Sequence, residues 1–391
     1  MNVLSLFDGM SCGQQALERA NIKVSQYYAS EIDKYAIKVT MANYPNTIQL
    51  GSVVNVKGAD LPKIDMLIGG SPCQSFSFAG KRKGMATKCN QEILTLEQYL
   101  ELKEQGFEFE GQSYLFWEYV RVLNEVKPKY FLLENVMMEE RWEKIISKTL
   151  GVHPVEINSS LLSAQNRRRL YWTNIGLKPS GLFGDLESTI KQPKDKGILL
   201  KDILEDEVDE KYFFSDTRIE TINKSIRSLP YINYETKKYN CLIAGYSKIP
   251  TDGQYIVHNL QPRSGDPKKG GTGHLSKSDG KTYCLDTGNS QAVEYIKIDR
   301  KGNLKNNQTK ASTLSVGGHG NGNHSDMDLL CLSQAVEVAK QSIRRLTPIE
   351  CERLQTVKDN YTNHVSDSQR YKMLGNGWTV DVIAYIFGYI E

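Results

Sequence analysis

Residues 2–20, NVLSLFDGMSCGQQALERA, begin as a short apolar strand, turn at Asp8-Gly9, and continue with the spacing of a helix. A strand that runs through a glycine turn straight into a helix is the opening of a parallel α/β unit. The pattern repeats along the first half of the chain. VSQYYAS (24–30) reads as a strand, and DKYAIKVTMANY (33–44) as a helix closed by Pro45. KIDMLIGG (63–70), the helical QSYLFWEYVRVLNEV (112–126), KYFLLENV (129–136) and the strand AQNRRRLYWTN (164–174) follow. The alternation predicts a Rossmann-like, doubly wound, mostly parallel sheet with helices on both faces. Ligands of such sheets sit at the carboxyl ends of the strands. Asp8, Glu31, Cys73 and Glu134 each fall at or just past a strand end, so the fold gathers them on one edge.

From about residue 215 to 335 the helical period fades and Gly, Asn, Ser and Thr rise, as in RSGDPKKGGTGHLSKSDG (263–280). KYNCLIAG (238–245), KTYCLDTG (281–288) and KASTLSVG (310–317) echo one another and read as short strands running into glycine turns. This stretch is a small β-rich module. Residues 211–310 carry 17 Lys and Arg against 9 Asp and Glu, whereas the whole chain has a net charge of only +3. A local basic excess suits a polyanionic partner or a solvated face. The α/β character returns at LTPIECERLQTV (346–357), where Thr347, Pro348 and Glu350 are helix-start residues. TVDVIAYIFGYI (379–390) reads as a closing helix. The expected division is residues 1–200 and 341–391 as one discontinuous α/β domain, with 201–340 inserted into it.

Bulk composition excludes several classes. With 39% hydrophobic and 24% charged residues the chain is globular in type. No apolar run reaches the roughly 18–20 residues needed to cross a bilayer. MNVLSLFDG lacks the basic flank and cleavage site of a signal peptide, which leads us to expect a cytoplasmic protein without a membrane partner. The seven cysteines are scattered and contain no CxxC pair, so neither a disulfide framework nor a zinc site is expected. His319 and His324 read as a polar turn.

Four stretches carry chemistry. In LFDGMSCG, glycines let the backbone approach a ligand and a helix N-terminus favours negative charge. The spacing is not GxGxxG, which disfavours a dinucleotide oxidoreductase. Glu31, ending the second strand, is placed like an acid that accepts hydrogen bonds from ribose hydroxyls. Cys73, in IGGSPCQSFSFAG (68–80), is either a buried small hydrophobe or a nucleophile towards an electron-poor carbon. Glu134 is either a surface acid or a group able to hydrogen-bond a ring nitrogen. Gln165, Arg167 and Arg169 alternate onto one strand face, which suits an anionic group or a carbonyl oxygen, or else a plain basic surface.

Together LFDGMSCG, EID, GGSPCQSFS, LFWEYVRVL, LLENV, QNRRRLYW, RRLTPIECERLQ and MLGNGWTVDVIAYI resemble, in order, the cytosine-C5 DNA methyltransferase family. The match spans about residues 1–175 and 343–391, and GNGWTV is closest to phage and bacterial relatives of the animal de novo branch. The resemblance implies transfer of a methyl group from S-adenosylmethionine to carbon 5 of a flipped-out cytosine. By it, Cys73 would add to carbon 6, Glu134 would contact ring nitrogen 3, and Arg167 and Arg169 would hold the base carbonyl. Phe7, Asp8, Gly9, Gly13, Glu31, Ile32, Ser52, Val53, Pro72, Leu115, Asn376 and Trp378 would line the cofactor pocket. Ser52 stands where the family usually has an aspartate that reads the adenine amino group.

The same resemblance makes residues 201–340 a target recognition domain, and residues 81–112 the loop over the nucleic acid, lengthened here by a helical stretch. Gln74, Ser77, Gln165, Arg263 and Lys281 are its expected DNA contacts. Double-stranded DNA is the expected partner, a cognate restriction endonuclease a further one, and a monomer the expected state. A transfer-RNA methyltransferase of the same chemistry and a catalytically idle DNA-binding relative are the alternatives. The large insert with its basic stretch 211–310 argues against the first, and the filled catalytic positions against the second.

Overall fold

The computed structural model describes residues 1–72, 91–109, 111–180, 185–212 and 344–391, together with the backbone of three short strands between 239 and 274. Cys73, Gln74, Ser77, Lys281, His319 and His324 lie outside the described residues, as does most of the threefold echo.

Strands β1 (Asn2–Leu6), β2 (Gln26–Ser30), β3 (Ile48–Gln49), β4 (Met66–Gly70), β5 (Tyr130–Val136), β6 (Val155–Asn158) and β8 (Arg168–Thr173) form one seven-stranded sheet, and β7 (Gln165–Asn166) precedes the last of them. The spatial order is β3-β2-β1-β4-β5-β8-β6. Neighbours from β3 to β5 run parallel, while β8 is antiparallel to both β5 and β6. The order reverses between β1 and β4, the kind of switch point at which such sheets bind ligands. Register then aligns the chemistry. Leu6 lies beside Ser30 and Gly69, and Gly70 beside Glu134, so Phe7, Glu31, Ser71 and Glu134 emerge on one edge.

The strands read as apolar runs because both sheet faces are covered. Val3, Met66, Ile68 and Leu132 point to one core, and Leu4, Leu6, Leu67 and Leu133 to the other. The first face receives α1 (Cys12–Arg19) and the closing helix α8 (Val380–Phe387) through Ala16, Leu17, Val382, Ile383 and Ile386. The second receives α4 (Leu115–Val126), whose Phe116, Trp117, Tyr119 and Val120 are buried. Between these in the chain come α2 (Lys34–Asn43), α3 (Leu96–Glu104) and α5 (Glu140–Leu150), and before α8 come α6 (Pro348–Leu354) and α7 (Asp367–Asn376). At the start of α6, Thr347 Oγ accepts from Glu350 N at 3.1 Å and Glu350 accepts from Thr347 N at 2.8 Å, a reciprocal cap with Pro348 in the first turn. The helical stretch expected within 81–112 is α3.

The strand expected over 164–174 breaks at Arg167 into β7 and β8. There Arg167 N donates to Asn158 Oδ1 at 3.0 Å, and its carbonyl accepts from Ser159 N at 2.9 Å. Among the described residues no helix is long and apolar enough to cross a membrane.

Candidate active site

Three residues of the turn after β1 have positive φ: Phe7 at 58°, Gly9 at 60° and Ser11 at 64°. For a bulky residue such as Phe7 this region is strained by about 1–3 kcal/mol, so neighbours must hold the turn. Glu31 holds it. Its Oε2 accepts from Gly9 N at 2.8 Å, and its Oε1 from Ile32 N at 2.7 Å and Asp33 N at 2.8 Å. The acid read as a ribose acceptor therefore first knits the ends of β1 and β2 together. Nothing stands within 4 Å of where a Gly9 side chain would begin, so the backbone there is open to a ligand. Gly13 answers to a different need. A Cβ there would meet Ile68 Cδ1 at 2.5 Å and Tyr27 Oη at 2.7 Å, so this glycine lets α1 pack on the sheet.

Asp8 lies under the turn. Its Oδ1 accepts from Tyr27 Oη at 2.7 Å, and its buried Oδ2 has no hydrogen-bond partner. Burial pushes its carboxyl up from 3.8 to about 6, against the opposing pull of the Ser5, Ser11 and Tyr27 hydroxyls. Ile32, just past the end of β2, is 71% exposed, an uncovered apolar side chain. Ser30 Oγ donates to Gly51 O at 2.8 Å, which leads the chain to Ser52 and the short 3-10 turn Val53–Asn55. Ser52 opens that turn without a side-chain cap, and Val53 is buried.

The other half of the edge is polar. Glu134 Oε1 meets Arg169 Nε at 3.0 Å, and its Oε2 accepts from Trp378 Nε1 at 3.2 Å. Gly70 makes room for both, since a Cβ there would meet Trp378 Nε1 at 2.9 Å and Glu134 Oε2 at 3.0 Å. Arg167 braces the closing segment. Its Nη1 and Nη2 donate to the carbonyls of Gly375 at 3.3 Å and Gly377 at 3.0 Å, shaping the turn that presents Trp378. Gln165 is fully buried, with Nε2 on Leu354 O and Gln355 Oε1, both at 3.0 Å. In this conformation it braces α6 where a DNA contact was expected. Asn376, at the end of α7, is exposed, and Leu115 is half-buried at the start of α4. Arg263 falls on the short strand Leu260–Arg263, described by its backbone alone.

Asn135 has a part that its place in LLENV did not disclose. It is buried, and its Nδ2 donates to Ser71 Oγ at 3.1 Å and Ser71 O at 3.3 Å, fixing the chain that enters Pro72 and Cys73. The cysteines among the described residues, Cys12 and Cys351, are free and buried. Burial pushes the Cys12 thiol up to about 12 and Cys351 also well above the ordinary range, so neither is a thiolate at neutral pH.

The strand order, with its switch point between β1 and β4 and its antiparallel β8, is that of a Rossmann-like methyltransferase fold. Solved structures agree: a methyltransferase of Entamoeba histolytica (TM-score 0.59, 15% identity, covering 100% of this chain and 97% of that one) and the S. pombe Dnmt2 methyltransferase (TM-score 0.58, 17% identity, 99% and 97%). The chain belongs to the C-5 cytosine-specific DNA methylase family, whose profile matches residues 1–104 and 100–391. Among similar proteins are the orphan methyltransferase M.SPRI of Bacillus phage SPR, 28% identical over 99% of this chain and 96% of that protein, and the type II methyltransferase M.BanI of Aneurinibacillus aneurinilyticus, 28% identical over 95% and 90%.

Proposed function

We propose that this protein methylates carbon 5 of cytosine in duplex DNA, using S-adenosylmethionine and a covalent bond from Cys73 to carbon 6. The observation that carries the reading is the aligned edge, where the under-bonded Asp8 turn and the Glu134–Arg169–Trp378 cluster stand on either side of the Ser71-Pro72 entry to Cys73. The residues of the first half fit the cofactor. The open backbone at Gly9, the buried carboxyl of Asp8 and the uncovered Ile32 suit a cationic amino acid joined to a flat apolar ring. Phe7, Gly9, Glu31, Ile32, Ser52 and Val53 would hold it, with Pro72, Leu115, Asn376 and Trp378 closing the site. Ser52 offers a neutral hydroxyl to the ring, a weaker acceptor than a carboxylate. When bound, S-adenosylmethionine supplies a methyl group on a positively charged sulfur.

Cytosine carbon 5 is a poor nucleophile. Addition of the Cys73 thiolate to carbon 6 pushes the ring electrons towards nitrogen 3, where Glu134 supplies a proton, and leaves carbon 5 with enamine character. Arg169, held against Glu134, faces the same base and would steady its carbonyl oxygen. After carbon 5 has gained its methyl group, loss of its proton to a base expels the thiolate, nitrogen 3 returns its proton to Glu134, and Cys73 is left unchanged. The domain reading follows: residues 1–200 and 341–391 carry the chemistry, and the insert 201–340, through its basic stretch 211–310, grips phosphates and reads the groove. Arg263 and Lys281 belong to that surface, and Gln74 and Ser77 to the loop beside the target base. Bisulfite sequencing of DNA and transfer RNA from a host lacking cytosine methylases tests the reading. We expect 5-methylcytosine in one DNA sequence context, absent with Cys73→Ala. Methylation confined to RNA, or none in either, would overturn it.

A further inference from the structure

Glu118 is a buried acid of α4 whose carboxylate meets three donors. Its side chain has no exposed surface. Oε1 accepts from Tyr99 Oη and from Lys103 Nζ, each at 2.5 Å, and Oε2 from Arg121 Nε at 2.7 Å. The two donors to Oε1 lie on α3, within the segment that follows the Pro72-Cys73-Gln74 stretch in the chain. The residues leading into α3 are pinned as well. Gln98 Nε2 donates to Glu92 O at 2.8 Å and its Oε1 accepts from Leu94 N at 2.9 Å, Glu92 is paired with Arg141 of α5, and Ile93 is buried.

Arg121 carries the connection onward to the cofactor side of the sheet. Its Nη2 donates to Val53 O at 3.1 Å, and its Nη1 to Glu125 Oε1 at 2.6 Å, while Glu125 Oε2 accepts from Gly58 N at 2.7 Å. The turns at Val53–Asn55 and Gly58–Asp60 are thus hung from α4 by one guanidinium and one carboxylate. A buried carboxylate repays its desolvation only while its donors stay in place, so its partners are energetically bound to one another.

We propose that Glu118 is a positioning residue that joins α3 to the adenine side of the cofactor site. Through it, a change at Tyr99 or Lys103 loosens the Val53 turn, which neither residue touches. The inference rests on the reading of the β1–β3 edge as the cofactor site.

The test uses the full-length protein and the variants Tyr99→Phe, Lys103→Met and Glu118→Gln. Hydrogen exchange without ligand reads the amides of Asn55, Val56 and Gly58, which bond to Ser52 O, Val53 O and Glu125. Calorimetry reads the affinity for S-adenosylhomocysteine. We expect exchange at those three amides to quicken and affinity to fall about fivefold or more in each variant, with β1 amides unchanged. Unchanged exchange at the three amides, or an equal rise throughout β1, overturns the inference. A wild-type protein that fails to bind S-adenosylhomocysteine overturns the cofactor reading instead, and the exchange comparison still decides the role of Glu118.

Discussion

Replacing Asp8 with asparagine should make the protein more stable and a poorer binder of its cofactor. In the folded chain burial raises the Asp8 carboxyl from 3.8 to about 6. Between those values the unfolded chain has released the proton and the folded chain still holds it, so stability falls as pH rises. Above about pH 6 the cost is complete, and at 1.36 kcal/mol per pH unit it comes to about 3 kcal/mol. Asparagine keeps an oxygen for the Tyr27 hydroxyl and removes the buried charge. The variant should gain up to about 3 kcal/mol at pH 7.5, a rise in melting temperature of roughly 5 °C for a chain of this size. The gain should shrink steadily below pH 6 and vanish near pH 4. Thermal melts of both proteins from pH 4.5 to 8 measure it, with calorimetric binding of S-adenosylmethionine at pH 7.5 as the functional arm. An Asp8→Asn variant less stable than wild type at pH 7.5, or a gain that does not change with pH, would refute the reasoning.

Further substitutions probe the supports of the site. Arg167→Met strips the Gly375 and Gly377 carbonyls of charged donors and should cost about 2–4 kcal/mol in denaturant unfolding, with Trp378 fluorescence shifted. Asn135→Ala releases Ser71 and should lower kcat at least about tenfold with little change in cofactor affinity, because it misplaces the entry to Cys73 and not the β1 turn. Gly70→Ala drives a methyl group against Trp378 and Glu134, and it should abolish activity while the β1–β4 pairing seen by hydrogen exchange persists.

The layered part of the fold is legible locally. Strands β1, β2, β4 and β5 and helices α1, α2 and α4 stand where apolar runs, helical spacing and Pro45 put them, because each is set by its own residues. The edge that collects Glu31 and Glu134 is also visible in the chain, whereas the single face expected for Gln165, Arg167 and Arg169 is interrupted where the strand breaks at Arg167. What these three side chains bind is not visible. Gln165 reaches Gln355 and Arg167 reaches Gly377, partners about two hundred residues away that only the closing segment delivers. Gly13 shows the same limit on a smaller scale. A glycine in a turn suggests a ligand, yet the atoms that forbid a side chain there belong to Ile68 and Tyr27 of neighbouring strands. Glu31 and Asn135 likewise bond backbone groups, whose positions no residue pattern encodes.

The most direct trial of the Cys73 mechanism is capture on fluorinated DNA. A duplex several kilobases long, synthesised with 5-fluorocytosine in place of cytosine, is incubated with the protein and S-adenosylmethionine, denatured, digested and examined by mass spectrometry. Carbon 5 then cannot lose its substituent, so the thiolate cannot be expelled. The result we predict is a nucleotide adduct on the peptide containing Cys73, formed only with the methyl donor present and absent from Cys73→Ser. A wild-type protein that methylates ordinary DNA but leaves no adduct on Cys73 would contradict it.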